Sequence, residues 1–254
     1  MQTKFTELTD SQWEIIEKFF DSQRKRKHSL RRMLNAILWI TRTGSQWRNM
    51  ESKYPPWESV YYYFRKWRRT GALDKVLSCL VSQERIRQGR NAKASAVAVD
   101  SQSVKKVAFV SIETGLDGNK KVNGRKRHLA VDVLGLPLGI HLGPANEHDS
   151  IAGVELLWQI DKASDRVELI TTDQAYQGQF KDFATQIYGW EVQSSHRPES
   201  SKGFVPQQKR WQVERSFGWL NFYRRLTRDH EKLPQSAAMF IQLAFITIII
   251  NRLA

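Results

Sequence analysis

Cysteine is almost missing from this chain: Cys79 stands alone among 254 residues. A single thiol excludes an intrachain disulfide and any all-cysteine zinc site. Flanked by Leu77 and Leu80, it reads as a buried thiol of a reducing compartment. Long apolar runs are scarce too. The N-terminus, MQTKFTELTDSQWEII, lacks the continuous apolar stretch of a signal peptide. The most apolar segment, AAMFIQLAFITIII (237–250), falls short of the ~20 residues a membrane span needs and contains Gln242. It reads as a buried terminal helix, and the chain as cytoplasmic with no membrane partner. The third shortage is of acid. Against 40 Lys and Arg stand 26 Asp and Glu, a net charge of +14, where a small domain usually carries about 2–8. Such an excess favours a polyanionic partner, because positive charge lowers the free energy of approach to phosphate backbones. The excess is uneven: residues 1–90 hold 19 Lys/Arg and 9 Asp/Glu, a net of +10, which leaves +4 for the rest.

What is present divides at about residue 90. Residues 7–90 read as helical throughout. Thr9 or Asp10 can cap a helix carrying Trp13, Ile16, Phe19 and Phe20 at helical spacing. A basic turn, RKRKH (24–28), precedes a second helix, SLRRMLNAILWITRTG (29–44), with Ser29 as cap and Gly44 as stop. PPWESVYYYFRKWRRTG (55–71) opens on Pro55-Pro56 and alternates aromatic with basic side chains. Short helices ending in Arg65, Lys66, Arg68 and Arg69 suggest a helix-turn-helix-like DNA reader; a plain bundle with an aromatic core is the alternative. After the polar linker QGRNAKA (88–94) the pattern turns to short strands and helices. SAVAVD (95–100) and RVELITTD (166–173) are buried-strand patterns ending in an acid. RKRHLAVDVLGLPLGIHLGP (125–144) reads as two strands joined at Leu134-Gly135-Leu136-Pro137, a hairpin, and HDSIAGVELLWQI (148–160) as a helix. The domains expected are thus 1–90, helical and DNA-binding, and 91–254, an α/β catalytic unit. Arg125, Lys126 and Arg127 join the candidate DNA contacts.

Asp100 and Asp173 each fall at the carboxyl end of a strand pattern, where open α/β sheets place their ligand sites. An acid there costs desolvation energy unless it is paired or metal-bound. A third acid, Glu214, sits within KRWQVERSFGWLNFYRRL (209–226) among basic residues. Counted as one long helix, about 206–226, this segment sets Gln207, Arg210, Glu214, Gly218, Asn221 and Arg225 on one stripe, with Val213, Phe217 and Leu220 forming an apolar neighbour. A carboxylate amid cations makes sense if it binds Mg²⁺ where DNA phosphates arrive, since the ion reverses the local sign of charge. The simpler reading makes Glu214 an ion-pair partner of Arg210, and each aspartate a turn former. Asp132 reads as a hairpin residue facing solvent. No Ser/His/Asp or Cys/His set stands out, and His128 and His148 read as structural or DNA-contacting.

AVDSQSVK (98–105), GRKRHLAVDVLGLPL (124–138), ITTDQAYQG (170–178) and RWQVERSFGWLNFYRRL (210–226) resemble the blocks of bacterial insertion-sequence transposases of the DDE type. The group is the one named after insertion sequence five, related to Harbinger transposases. The resemblance covers nearly the whole chain. It implies an RNase H-like core, a mixed sheet flanked by helices, with Asp100 on the first strand, Asp173 after the fourth, and Glu214 on a helix. It implies two Mg²⁺ ions, for which Mn²⁺ can substitute, held by the three acids for phosphoryl transfer on DNA. The partners implied are double-stranded DNA, as transposon ends and target, and a second subunit at least; the place implied is the nucleoid. The family's signature around its glutamate, Tyr–x2–Arg–x3–Glu–x6–Lys, is matched at Arg210 and Glu214 but carries Gln207 and Asn221 at the Tyr and Lys positions. Arg224 or Arg225 can replace the missing cation. A DNA-binding regulator without catalysis and an RNase H-like nuclease or resolvase are the rival functions.

Overall fold

The computed structural model describes residues 5–20, 27–194 and 211–253. Its helical beginning follows local signals closely. α1 (Asp10–Ile16) starts from a capping box: Thr9 accepts from the Gln12 backbone N–H, and the Gln12 side chain accepts from that of Thr9. α2 (Leu30–Thr43) begins at Ser29, which accepts from the Arg32 N–H. It ends where Gly44 takes a left-handed conformation, φ 73°, that a side chain resists. α3 (Trp57–Thr70) follows the two prolines and stops at Gly71, and α4 (Ala72–Arg87) starts at once.

Among the described residues six strands form one mixed sheet: β1 (Ala96–Lys105), β2 (Gly115–Asp117), β3 (Val122–Asp132), β4 (Pro137–Pro144), β5 (Leu169–Thr172) and β6 (Glu191–Ser194). β1 runs antiparallel to β3 and parallel to β5, and β5 runs parallel to β6. The far edge of β3 is shared by β2, along 122–124, and β4, along 125–131. The remaining helices are α5 (Asp149–Ala152), α6 (Val154–Ala163), α7 (Gln179–Tyr188), α8 (Trp211–Leu220) and α9 (Pro234–Leu253).

The β3–β4 hairpin turns where the sequence suggested, with Gly135 at φ 78°. Asp132 does not face solvent as expected. It is fully buried, accepts from the N–H groups of Leu134 (2.9 Å) and Leu136 (2.8 Å), and pairs with Arg85 of α4. Arg85 of α4 meets the carboxylate while Arg215 and Ser216 of α8 hold the Leu134 and Gly135 carbonyls, so an acid that serves the turn's amides is sealed in. Burial raises its pKa, against which the turn amides and Arg85 act.

Each face of the sheet has its own core. On one, Ala98, Leu129 and Val131 meet Val213, Phe217 and Leu220 of α8, and the same apolar cluster runs on through α9 into α2, α3 and α4. Helix α9 is long and apolar enough to cross a membrane by length and composition, yet most of that stretch is buried here. It is apolar on all sides because protein surrounds it. Burying a side chain such as Phe240 or Ile246 contributes about 1.5–3 kcal/mol. The chain switches from helix to strand near residue 90, but the packing crosses that point. On the opposite face Val97, Val99, Ala130 and Ile170 pack on Leu156 and Ile160 of α6 and Phe180 and Ala184 of α7.

Candidate active site

The parallel pairing of β1 with β5 runs from Ala96–Leu169 to Ala98–Thr171. Asp100 and Asp173 each lie two residues further, so the register carries them to adjoining positions on the face that Ala98 and Thr171 share. β5 ends at Thr172, one residue short of the acid that closes the expected strand pattern, and Asp173 caps a short 3-10 turn, Gln174–Tyr176, by accepting from the Ala175 N–H at 3.0 Å. β1 differs from expectation: it continues past Asp100 to Lys105, because β3 supplies it with an antiparallel partner along that whole stretch. Asp100 is therefore mid-strand, though it is also where the parallel partner gives out. Its Oδ1 accepts from the Ser101 N–H at 2.7 Å. Both aspartates are half-buried.

Helix α8 packs on the same face through Val213, Phe217 and Leu220. Glu214, next to Val213 in the first turn, is exposed. Carboxylate oxygens are the donors Mg²⁺ takes, so the residue types fit a hard divalent cation. Among the described residues, however, no three His, Cys, Asp or Glu side chains gather closely enough to hold a metal ion. Asp100 lies within β1 and Asp173 just past the end of β5, each two positions beyond the last register pair, while Glu214 is exposed on the helix that packs on this face; the cage of three is not closed. The long helical stripe expected around Glu214 is shorter than drawn. α8 ends at Leu220, and Arg224–Leu226 form a separate 3-10 turn, so Asn221 and Arg225 leave the stripe. Gln207 and Arg210 lie outside the described residues.

The candidate DNA contacts part into two groups. On α3, Arg65 and Arg69 are exposed, one helical turn apart, beside Tyr62. Lys66 is half-buried over the Tyr63 ring, and Arg68 reaches Ser236 Oγ of α9 at 2.5 Å. Arg224 is exposed, whereas Arg225 is buried in an ion pair with Glu231. The run on β3 is interior. Arg125 is fully buried, paired with Asp229 at 2.7 Å and donating to the carbonyls of Ile112, Glu231 and Lys232. Lys126 donates to Asp149 Oδ1 (2.5 Å) and to the Glu147 carbonyl (2.8 Å). Arg127 is buried, and among the described residues no hydrogen bond or ion pair engages its guanidinium; burial presses its pKa down to about 10. β3 has neighbours on both edges and layers on both faces, so every residue along 124–132 is buried.

A polar cluster unforeseen from sequence lies on the opposite face of the sheet. Ser101 and His128 are register partners on β1 and β3. Ser101 Oγ donates to Asp149 Oδ2 at 2.7 Å, and His128 Nδ1 lies 2.9 Å from the Tyr176 hydroxyl. Burial, above all, lowers the His128 pKa to about 3, so the ring is neutral. Among the described residues its buried Nε2 finds no partner, which costs about 1–3 kcal/mol relative to a satisfied group. Burial and then the carboxylates of Asp149, Asp100 and Asp173 hold the Tyr176 phenol well above its ordinary pKa. The signal available in the sequence was slight: Ser101 follows Asp100, and Tyr176 stands three residues after Asp173.

Four strands joined by antiparallel pairings (β1 to β4), continued by β5 and β6 parallel to β1, with helices on both faces and acids just beyond the β1–β5 pairing, make an RNase H-like architecture. Residues 91–250 match the transposase DDE domain family, and residues 8–77 match a family described as "Putative transposase of IS4/5 family". The chain belongs to the transposase DDE domain family. It is also similar to uncharacterized protein y4sN of Sinorhizobium fredii, 31% identical over 80 residues, which is 30% of this chain and 64% of that protein. It thus spans just under two thirds of that relative's length.

Proposed function

We propose that this protein is a DNA transposase that binds the inverted-repeat ends of its element, cleaves there and joins the ends to target DNA. Asp100, Asp173 and Glu214 are its acid set. The reading is supported chiefly by the β1–β5 register, in which Asp100 and Asp173 each follow the last paired residues, Ala98 and Thr171, by two positions, at the sheet that α8 covers. These two carboxylates would hold Mg²⁺, or Mn²⁺ in its place, and Glu214 would be the third donor once the first turn of α8 closes on the sheet. The chemistry such ions supply is activation of a water or 3′-hydroxyl and stabilisation of the departing 3′-oxygen. The chain's own part is orientation. Ser101 and Ala175 N–H groups each fix one carboxylate oxygen, so neither acid must be ordered at the moment of reaction. Arg65 and Arg69, with Tyr62 between helical turns, form the cationic face for backbone phosphate. Paired ends call for at least two subunits.

The test is a strand-transfer assay with matched inverted-repeat ends and a divalent cation. Asp100→Asn and Glu214→Gln should each lower cleavage by roughly 10²–10⁴-fold, the range for a positioned group acting on the reaction, while DNA binding persists. Cleaved but unjoined products would favour a nuclease on the same fold. Undiminished function in Asp100→Asn would leave only a DNA-binding regulator. A Glu214→Gln chain that does not fold would make that residue structural.

A further inference from the structure

Tyr176 lies where three otherwise separate pieces of the acid site meet. It is the last residue of the 3-10 turn that Asp173 caps. Its hydroxyl meets His128 Nδ1 of β3 at 2.9 Å, and the Ser101 side chain, next to Asp100 on β1, hydrogen-bonds the same phenol. Ser101 Oγ gives its only proton to Asp149, so it accepts from the Tyr176 hydroxyl, and the phenol oxygen in turn accepts from His128 Nδ1–H. Ser101 is anchored in turn by Asp149, whose other oxygen takes Lys126 Nζ. The ring is fitted as closely as its hydroxyl. A Cβ on Gly153, between α5 and α6, would stand 2.6 Å from Tyr176 Cε1, and Phe180 packs edge-on at 5.1 Å. Space-filling alone does not account for His128: a leucine would occupy that place without a buried Nε2 that finds no partner among the described residues.

We infer that Tyr176 and His128 form a positioning pair. From the far face of the sheet they tie β1, β3 and the turn after β5 together, so that the segments carrying Asp100 and Asp173 keep one separation. Neither residue touches substrate; both act through the aspartates. The inference rests on reading Asp100 and Asp173 as the cation-holding acids.

It is tested on the full chain with Tyr176→Phe, which removes one oxygen and keeps the ring. Mn²⁺ binding is followed by electron paramagnetic resonance, beside DNA affinity, thermal stability and end cleavage. Tyr176→Phe should bind Mn²⁺ about 10-fold more weakly, as loss of a group supporting metal ligands does. DNA affinity should stay the same, and raised Mn²⁺ should restore much of the lost cleavage. His128→Asn, whose amide can stand near the Nδ1 position, should keep Mn²⁺ affinity better than His128→Leu. Should Tyr176→Phe not fold, Ser101→Ala removes another strand of the same tie and carries the same expectation. Wild-type Mn²⁺ affinity in a folded Tyr176→Phe, with only its melting temperature lowered, would overturn the inference and leave the acid site standing. Wild-type Mn²⁺ affinity in Asp100→Asn would instead remove the acid-site reading, and this inference with it.

Discussion

Two clusters of basic residues, four on α3 and three on β3, have similar composition and opposite fates. The α3 group straddles an amphipathic helix, so Arg65 and Arg69 reach solvent while Lys66 and Arg68 lean on the protein. The β3 group sits on a strand with partners on both edges and layers on both faces, and all three cations are buried. There the chain must answer each charge or bear the cost of leaving it bare. Arg125 receives an aspartate and several carbonyls and Lys126 an aspartate and a carbonyl, whereas Arg127 has among the described residues only the more distant charge of Asp229, which burial outweighs. A count of Lys and Arg therefore overstates the surface offered to DNA, because part of the +14 is internal bracing.

The contrast breaks most readily at Arg125. Arg125→Gln leaves Asp229 as a buried charge without its partner, a loss of about 3–5 kcal/mol, which is a large share of the roughly 5–15 kcal/mol that holds a domain together. Thermal unfolding followed by circular dichroism should show a collapse of the melting temperature. An unshifted transition would mean that the interior assignment of this run is wrong.

Arg127 should respond in the opposite direction and less strongly. Its folded-state pKa, about 10, lies below the ordinary 12.5, so the fold disfavours the charged form. The unfolded chain then binds the proton more tightly, and the penalty is fully present at neutral pH and fades only as pH rises through both values. Arg127→Met removes the charge and keeps the volume. It should raise stability at pH 7 by about 1 kcal/mol, at the low end of what apolar replacement of buried charge has given. A fall in melting temperature would reveal a partner for this guanidinium and bring it into line with Arg125.

These differences explain what could be read from the sequence. The bounds of α2 were legible because Ser29 and Gly44 act on their own neighbours. So was the β3–β4 turn at Gly135. Asp100 and Asp173 were legible as acids closing apolar runs, and the order of the family blocks pointed to Glu214. What failed depended on distant partners. The polar stretch after Asp100 is strand because β3 lies beside it. Asp132 is buried because Arg85 of α4 and the side chains of α8 close on the turn. RKRHLAVD carries no alternation to warn that its cations point inward, since both of its faces are covered. The Tyr176–His128 tie draws on β1, β3, α5 and the turn after β5, and only the strand register brings these residues together.

The exposed pair on α3 offers the smallest change in stability and the sharpest change in binding. Arg65 and Arg69 project from one face of a helix whose other face is apolar core, with Phe64 and Trp67 buried. Replacing both by Gln removes no buried contact, so stability should hold within about 0.5 kcal/mol. If the two guanidinium groups each neutralise one phosphate, DNA binding should weaken across all sequences alike, and the slope of log affinity against log salt should shrink by about 2. The same titration on Arg224→Gln, exposed but on the 3-10 turn after α8, tells whether the DNA track extends from α3 past the acid site. An unchanged slope in the α3 double variant would move the gripping surface off this helix, and exposure alone would no longer separate the two basic clusters.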